Sequence, residues 1–210
     1  MYVPSHFAVP PGRQAGLLGR GGFAHLVTPT ADGLVSTPLP LLYDADRHAL
    51  VGHVARNNPH WSAEPTGESL AIVTGPDAYV SPGYYPSKRE HGRTVPTWNY
   101  EVLHVHGPLI VHDDVEWLRD LVTRLTDAHE ASRAEPWQVT DAPERFIDGQ
   151  LRAIVGLELA ITRVEAKAKL SQNRSEADQE GVIAGLSATG DPGDAAVATA
   201  MRWVRAEADY

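Results

Sequence analysis

The segment Gly52-His-Val-Ala-Arg-Asn-Asn-Pro-His-Trp61 holds the densest set of reactive side chains in the chain: two imidazoles, a guanidinium and two carboxamides within ten residues. Its turn at Asn57-Asn58 runs into Pro59, whose missing N–H suits a first helical turn, so it reads as a strand end entering a short helix. Such a turn offers backbone donors and Arg56 to a phosphate or carboxylate, although a solvated strand end accounts for Arg56 equally well. His60, beside Trp61, reads either as an imidazole that packs and hydrogen-bonds or as an axial ligand to haem iron.

A second such stretch runs from Tyr79 to Tyr100, with Tyr84, Tyr85, Trp98 and Tyr100 interleaved with Lys88, Arg89, His91 and Arg93. Long connections of this makeup carry function more often than short ones, and crowded aromatics suit a planar ligand or a subunit contact. Lys167-Ala-Lys-Leu-Ser-Gln-Asn-Arg174 is a further cationic segment, read as a charged helix start. His104 and His106 share one face of a strand, but two ligands do not complete a zinc site. No Gly-x-Ser-x-Gly element supports Ser/His/Asp hydrolysis, and no Gly-x-Gly-x-x-Gly precedes a helix to form a dinucleotide site.

The elements that must position these residues are mostly short strands. Phe23–Thr28, Leu34–Tyr43 and Ala49–Ala55 form a meander joined by Ala31-Asp32-Gly33 and Asp44–His48, with Val35, Thr37, Leu39 and Leu41 on one face of the second strand. Pro38 and Pro40 withhold ladder donors and favour an edge or a bulge there. Ser69–Thr74, Trp98–His112 and Leu151–Val164 supply further strands, and an antiparallel barrel is the economical way to join them. Asp113 or Asp114 caps a helix with Val115, Leu118, Val122 and Leu125 inward, Pro143–Gln150 forms a shorter one, and Ser175–Ser187 and Ala195–Ala206 form a helical tail.

Composition narrows the function classes. A chain of 210 residues suggests one domain with an appendage, and the absence of cysteine removes disulfides, iron–sulfur clusters, thiolate-ligated haem and cysteine nucleophiles. The formal charge of −9 argues against direct DNA binding, which needs a clustered basic surface. No apolar run spans a bilayer and no signal-peptide core opens the chain, so a cytoplasmic protein that enters no membrane is expected.

Met1-Tyr-Val-Pro-Ser-His-Phe7, His53–Trp61, Tyr79-Val-Ser-Pro82, Tyr85-Pro-Ser-Lys-Arg-Glu-His-Gly92, Val95–Tyr100 and Lys169–Arg174 together resemble the PaiB family, over about residues 1–186. The resemblance implies a mainly β fold with α elements, a split β-barrel of the FMN-binding type with peripheral helices. It divides the chain into a PaiB-like domain, 1–186, and a C-terminal helical tail, 187–210. It further implies a homodimer with FMN at the subunit interface and a role as negative transcriptional regulator or flavin-dependent redox protein. Carried onto this chain, the cofactor residues are His53, Arg56, Asn58, His60, Tyr85, Lys88, His91 and Trp98, with Arg56 and Lys88 toward phosphate and Trp98 or Tyr85 flanking the ring. No catalytic acid or base is implied, and whether the protein is an enzyme stays open. His60 stands where many relatives carry Gln, and that feature is similar to the haem-dependent piperazate synthases of the same barrel. The alternative cofactor is then haem b with His60 as its iron ligand, in N–N bond formation or haem degradation. A cofactor-free dimeric interaction protein is the third reading.

Overall fold

The computed structural model describes residues 1–208. In chain order the elements are α1 (Pro11–Gly19), β1 (Gly22–Thr30), β2 (Gly33–Asp44), β3 (Ala49–Ala55), β4 (Ser69–Val80), α2 (Ser87–His91), β5 (Thr97–Gly107), β6 (Leu109–His112), α3 (Val115–Glu130), α4 (Glu144–Leu151), β7 (Ile154–Ala160), β8 (Arg163–Lys169), α5 (Glu176–Ser187) and α6 (Pro192–Ala208). Short 3-10 turns at Ser5–Phe7, Pro59–Ser62, Pro82–Tyr84 and Val139–Asp141 punctuate them. The eight strands hydrogen-bond in the order β6-β7-β3-β2-β1-β4-β5-β8. Two compact units partition the chain, one of residues 1–14, 74–103 and 165–210, the other of residues 15–73 and 104–164.

The second unit contains the meander. Thr30 pairs with Gly33 across a two-residue hairpin loop, and Gly33 takes φ +120°, a value that side-chain-bearing residues avoid. β2 buries Thr37, Leu39 and Leu41 on the expected face. It is an internal strand of the sheet rather than an edge, paired with β1 over Gly33–Leu41, but its pairing with β3 covers only Leu42–Asp44. Pro38 and Pro40 fall beyond that stretch, where no donor to β3 is demanded of them.

Asp114 caps α3 through its side chain, which accepts from the Trp117 N–H at 2.8 Å. The helix lays Leu121 and Leu125 on Ala49 and Val51 of β3, and Leu118 on Val139, Ile147 and Leu151. Val115, expected inward, is exposed at the first position of the helix. Trp117 crosses Gly156 so closely that a Cβ there would sit 2.1 Å from its ring, and it stacks on His112 with ring centroids 4.0 Å apart.

The first unit is built on α5 and α6, which bury Val182, Ile183, Leu186, Val197, Ala198 and Met201. Ser175 caps α5. Gly181 and Gly185 bring α5 against the Pro82–Tyr84 turn, where added Cβ atoms would lie 2.1 Å from the Tyr84 carbonyl oxygen and 2.3 Å from its ring. Ser87 N–H and Oγ–H both donate to the Asp178 carboxylate, at 3.1 and 2.8 Å. The aromatic connection is therefore anchored rather than loose. Lys167 and Lys169 lie on strand β8 and not at a helix start, since Ala166, Lys167, Ala168 and Lys169 alternate buried and half-buried in a period of two.

Candidate functional site

The motif residues His53, Arg56, Asn58 and His60 lie in the second unit, and Tyr85, Lys88, His91 and Trp98 lie in the first. His60 is fully buried under the Pro59–Ser62 turn, and both of its ring nitrogens are engaged. Nδ1 meets the Thr37 hydroxyl at 2.9 Å, and Nε2 meets that of Thr28 at 2.8 Å. Thr28 continues to Ser69 Oγ at 2.7 Å, and the Asn58 amide donates to Thr37 Oγ1 at 3.3 Å. Asn58 Oδ1 also accepts from the His60 N–H at 2.9 Å. One imidazole thus joins hydroxyls from β1 and β2 and, through Thr28, from β4. Burial lowers its pKa below the usual histidine value and so favours the neutral ring, in which one nitrogen donates and the other accepts.

Arg56 is committed in a similar way. Its guanidinium pairs with both Asp113 oxygens, Nε donates to the Arg152 carbonyl at 2.8 Å, and Nη2 reaches the Ile154 carbonyl at 3.0 Å. The pair with Asp113 raises the arginine pKa and lowers that of the aspartate. Arg56 therefore ties the end of β3 to the entry of β7 and does not present a fork to a phosphate. His53 is different: it is half-buried on β3, and its Nδ1 is buried without a hydrogen-bond partner.

In the first unit an open face forms where β5 and β8 carry their outward side chains. Trp98 is 53% exposed and Tyr79 48% exposed, with their rings edge to face at 6.2 Å between centroids. Tyr100 follows Trp98 two residues along the same face of β5, and its ring lies under the ammonium groups of Lys167 at 5.4 Å and Lys169 at 6.0 Å. Lys169 donates to Thr97 Oγ1 at 2.5 Å and to the Trp98 carbonyl. Burial lowers its pKa, and the positive charges of Lys167 and Arg174 lower it further, so the region is one where an anion relieves repulsion. A cleft of about 320 Å³ adjoins, with Trp98, Tyr100, Gly75 and Asp77 among its walls.

A family described as "Putative FMN-binding domain" matches residues 1–163. This chain belongs to that family. Within this FMN-binding family, the PaiB resemblance is shown by the Bacillus subtilis protein named protease synthase and sporulation protein PAI 2, 31% identical over 196 residues that make up 91% of this chain and 92% of that one. Two solved structures share the fold of this FMN-binding family member. The FAD and haem binding protein of Mycobacterium smegmatis superposes with a TM-score of 0.59 at 20% identity, over 86% of this chain and 80% of that one. The flavocytochrome Anf3 of Azotobacter vinelandii gives 0.57 at 12% identity, over 80% and 72%. The fold is thus the split barrel expected from the sequence, mainly β with peripheral helices and a helical C-terminal segment.

The donor set of the open face fits the cofactor this family is described by: exposed aromatic rings beside clustered ammonium groups suit a flat molecule with an anionic tail. Of the two rings expected to flank it, Trp98 is exposed, whereas Tyr85 is buried, with Arg174 4.9 Å above its ring. Lys88 and His91 are exposed on α2, where His91 Nδ1 accepts from the Arg93 N–H at 3.0 Å. Haem does not fit His60, because neither nitrogen is left for iron. Sequence reasoning left Lys167, Lys169 and Tyr79 out of the site. The signal that finds the lysines is the strict small–cation alternation of residues 166–169.

Proposed function

We propose that this protein binds FMN on the β5–β8 face, with Trp98 and Tyr79 against the ring system and Lys169 and Lys167 supplying positive charge for the phosphate. The observation that carries this reading is the exposed Trp98 beside the Lys167–Lys169 pair, in a chain whose family is described by FMN binding. When bound, the flavin supplies one- and two-electron transfer, and the chain's own part is to hold and orient it. Lys169, tethered to Thr97 and to the Trp98 carbonyl, holds its ammonium in place before any ligand arrives, which lowers the ordering cost of capturing an anion. Tyr100 offers its ring to both ammonium groups.

The physiological unit in this reading is a cytoplasmic homodimer with the cofactor at its interface, because the exposed Trp98 and Val95 leave apolar surface that a second copy would cover. Any influence on transcription then runs through a protein partner or through redox state, since a chain of charge −9 is repelled by DNA.

Titration of the flavin-free protein with FMN, followed by quenching of flavin fluorescence, tests the assignment. Saturation at one flavin per chain that is lost in Trp98→Ala and in Lys169→Met supports it. Equal affinity in all three proteins places the flavin elsewhere and overturns it.

A further inference from the structure

In the unit of residues 15–73 and 104–164, β2 and β3 cease to pair beyond Leu42 and Val51, and Pro40 brings no N–H to reclose the ladder. Ala49, Val51 and His53 share one face of β3 by their spacing of two. The first two are sealed by α3, whereas His53 opens into a cleft of about 310 Å³. Val122 and Leu125 of α3 and Pro40 form its apolar lining, with the half-exposed Trp137 indole beside them, and Thr126, His129 and Glu130 add polar groups to its wall. The Glu130 carboxylate accepts from the Trp137 backbone N–H at 3.2 Å, which holds the acid beside the indole.

The polar groups of this cleft favour a donor. His53 is half-buried with an Nδ1 that has no hydrogen-bond partner, and burial disfavours its cationic form, so the ring sets no positive charge against an arriving cation. The Glu130 carboxylate accepts only, and an indole face attracts a cation. An ammonium offers three donors and no acceptor, so it suits the Glu130 carboxylate and the indole face, whereas a carboxylate or phosphate is repelled by the Glu130 charge.

We propose that this cleft is a second ligand site, distinct from the flavin face, that takes a small protonated amine with an apolar body. The ammonium lies between Glu130 and His53, and the apolar body rests on Val122, Leu125 and Trp137. No part of this rests on where the flavin binds.

The test uses the full chain and three matched probes: 2-phenylethylamine, the neutral 2-phenylethanol and the anionic 3-phenylpropionate. Binding is read by calorimetry and by the His53 ring signals in proton–nitrogen NMR. The amine is expected to saturate one site and shift the His53 signals, with affinity about tenfold above that of the alcohol and no measurable binding of the acid. Glu130→Gln is expected to remove that preference while leaving alcohol binding unchanged, and Val122→Trp to abolish both by filling the cleft. The flavin titration stays unaltered in each variant. Absence of saturable amine binding, an amine bound no tighter than the alcohol, or full binding in Glu130→Gln overturns the proposal, and the last of these holds even if Val122→Trp fails to fold.

Discussion

The segments Gly52–Trp61 and Tyr79–Tyr100 are equally rich in polar and aromatic side chains, and the fold treats them in opposite ways. In the first, Arg56, Asn58 and His60 close on groups of their own unit: the Asp113 carboxylate, backbone groups and the hydroxyls of Thr28 and Thr37. In the second, Tyr85 turns inward but Trp98 and Tyr79 remain half open, beside lysines contributed by β8. A chemically dense motif is therefore not yet a site. What distinguishes the two is which donors, acceptors and ring faces remain uncommitted after folding.

The most severe way to probe this contrast is His60→Ala. It leaves the hydroxyls of Thr28 and Thr37 short of a partner and opens a cavity, so a loss of about 3 kcal/mol in urea unfolding is expected, with flavin affinity per folded chain unchanged. A large change in flavin affinity at unchanged stability would erase the contrast. Trp98→Ala is expected to do the converse, weakening FMN binding by about tenfold or more while shifting the unfolding midpoint little, since the side chain is half exposed.

Acid separates the regions next. His60 and His53 have folded-state pKa values lowered by burial from the ordinary 6.5. Below that pH the unfolded chain takes up more protons than the folded one, so their contribution is complete above it and is lost as the pH falls through it. Asp44 acts in a lower window. Burial raises its pKa, but the Arg47 backbone N–H and the Arg124 guanidinium outweigh that and bring it below 3.8, so its contribution persists until the pH nears or passes below that value. Melting scans should therefore show Tm declining from about pH 6.5 downward, and His60→Gln should flatten the upper part of that decline. Arg56→Ala, which loosens a latch at the surface, is expected to lower Tm by less than the His60 substitution and to leave the flavin titration alone. The smallest effect belongs to Lys88→Ala: a change in stability within about 0.5 kcal/mol, because the side chain is exposed on a short helix.

Much of the scaffold was readable from residue patterns. The Asp32-Gly33 hairpin, the Asp114 cap and the boundaries of β3 follow from turn chemistry and periodicity, which are local. Pro38 and Pro40 misled toward an edge strand because register is not local: whether β3 runs alongside them depends on where the pairing stops. Pro108 likewise divides what reads as one long strand into β5 and β6. The site was less legible. Arg56 looks like an anion ligand in sequence, and only the arrival of Asp113 and two carbonyl oxygens from distant segments reveals it as a latch. Lys167 and Lys169 became visible as partners of Tyr100 only once β8 was recognised as a strand, because cation–aromatic contact across strands depends on pairing that no single segment contains.

The way α5 backs the Pro82–Tyr84 turn has a consequence for how this family is delimited. The matched region stops at residue 163, yet Gly181, Gly185 and Asp178, which seat the aromatic connection, and both lysines of the open face lie after it. A chain truncated at that border would retain every residue that the family match covers while losing the props of the aromatic connection and the charges assigned to ligand capture in the proposed reading. The family match and mechanical completeness have different borders in this protein, and the likeness to the Bacillus subtilis relative, which spans 91% of the chain, reaches past the first of them.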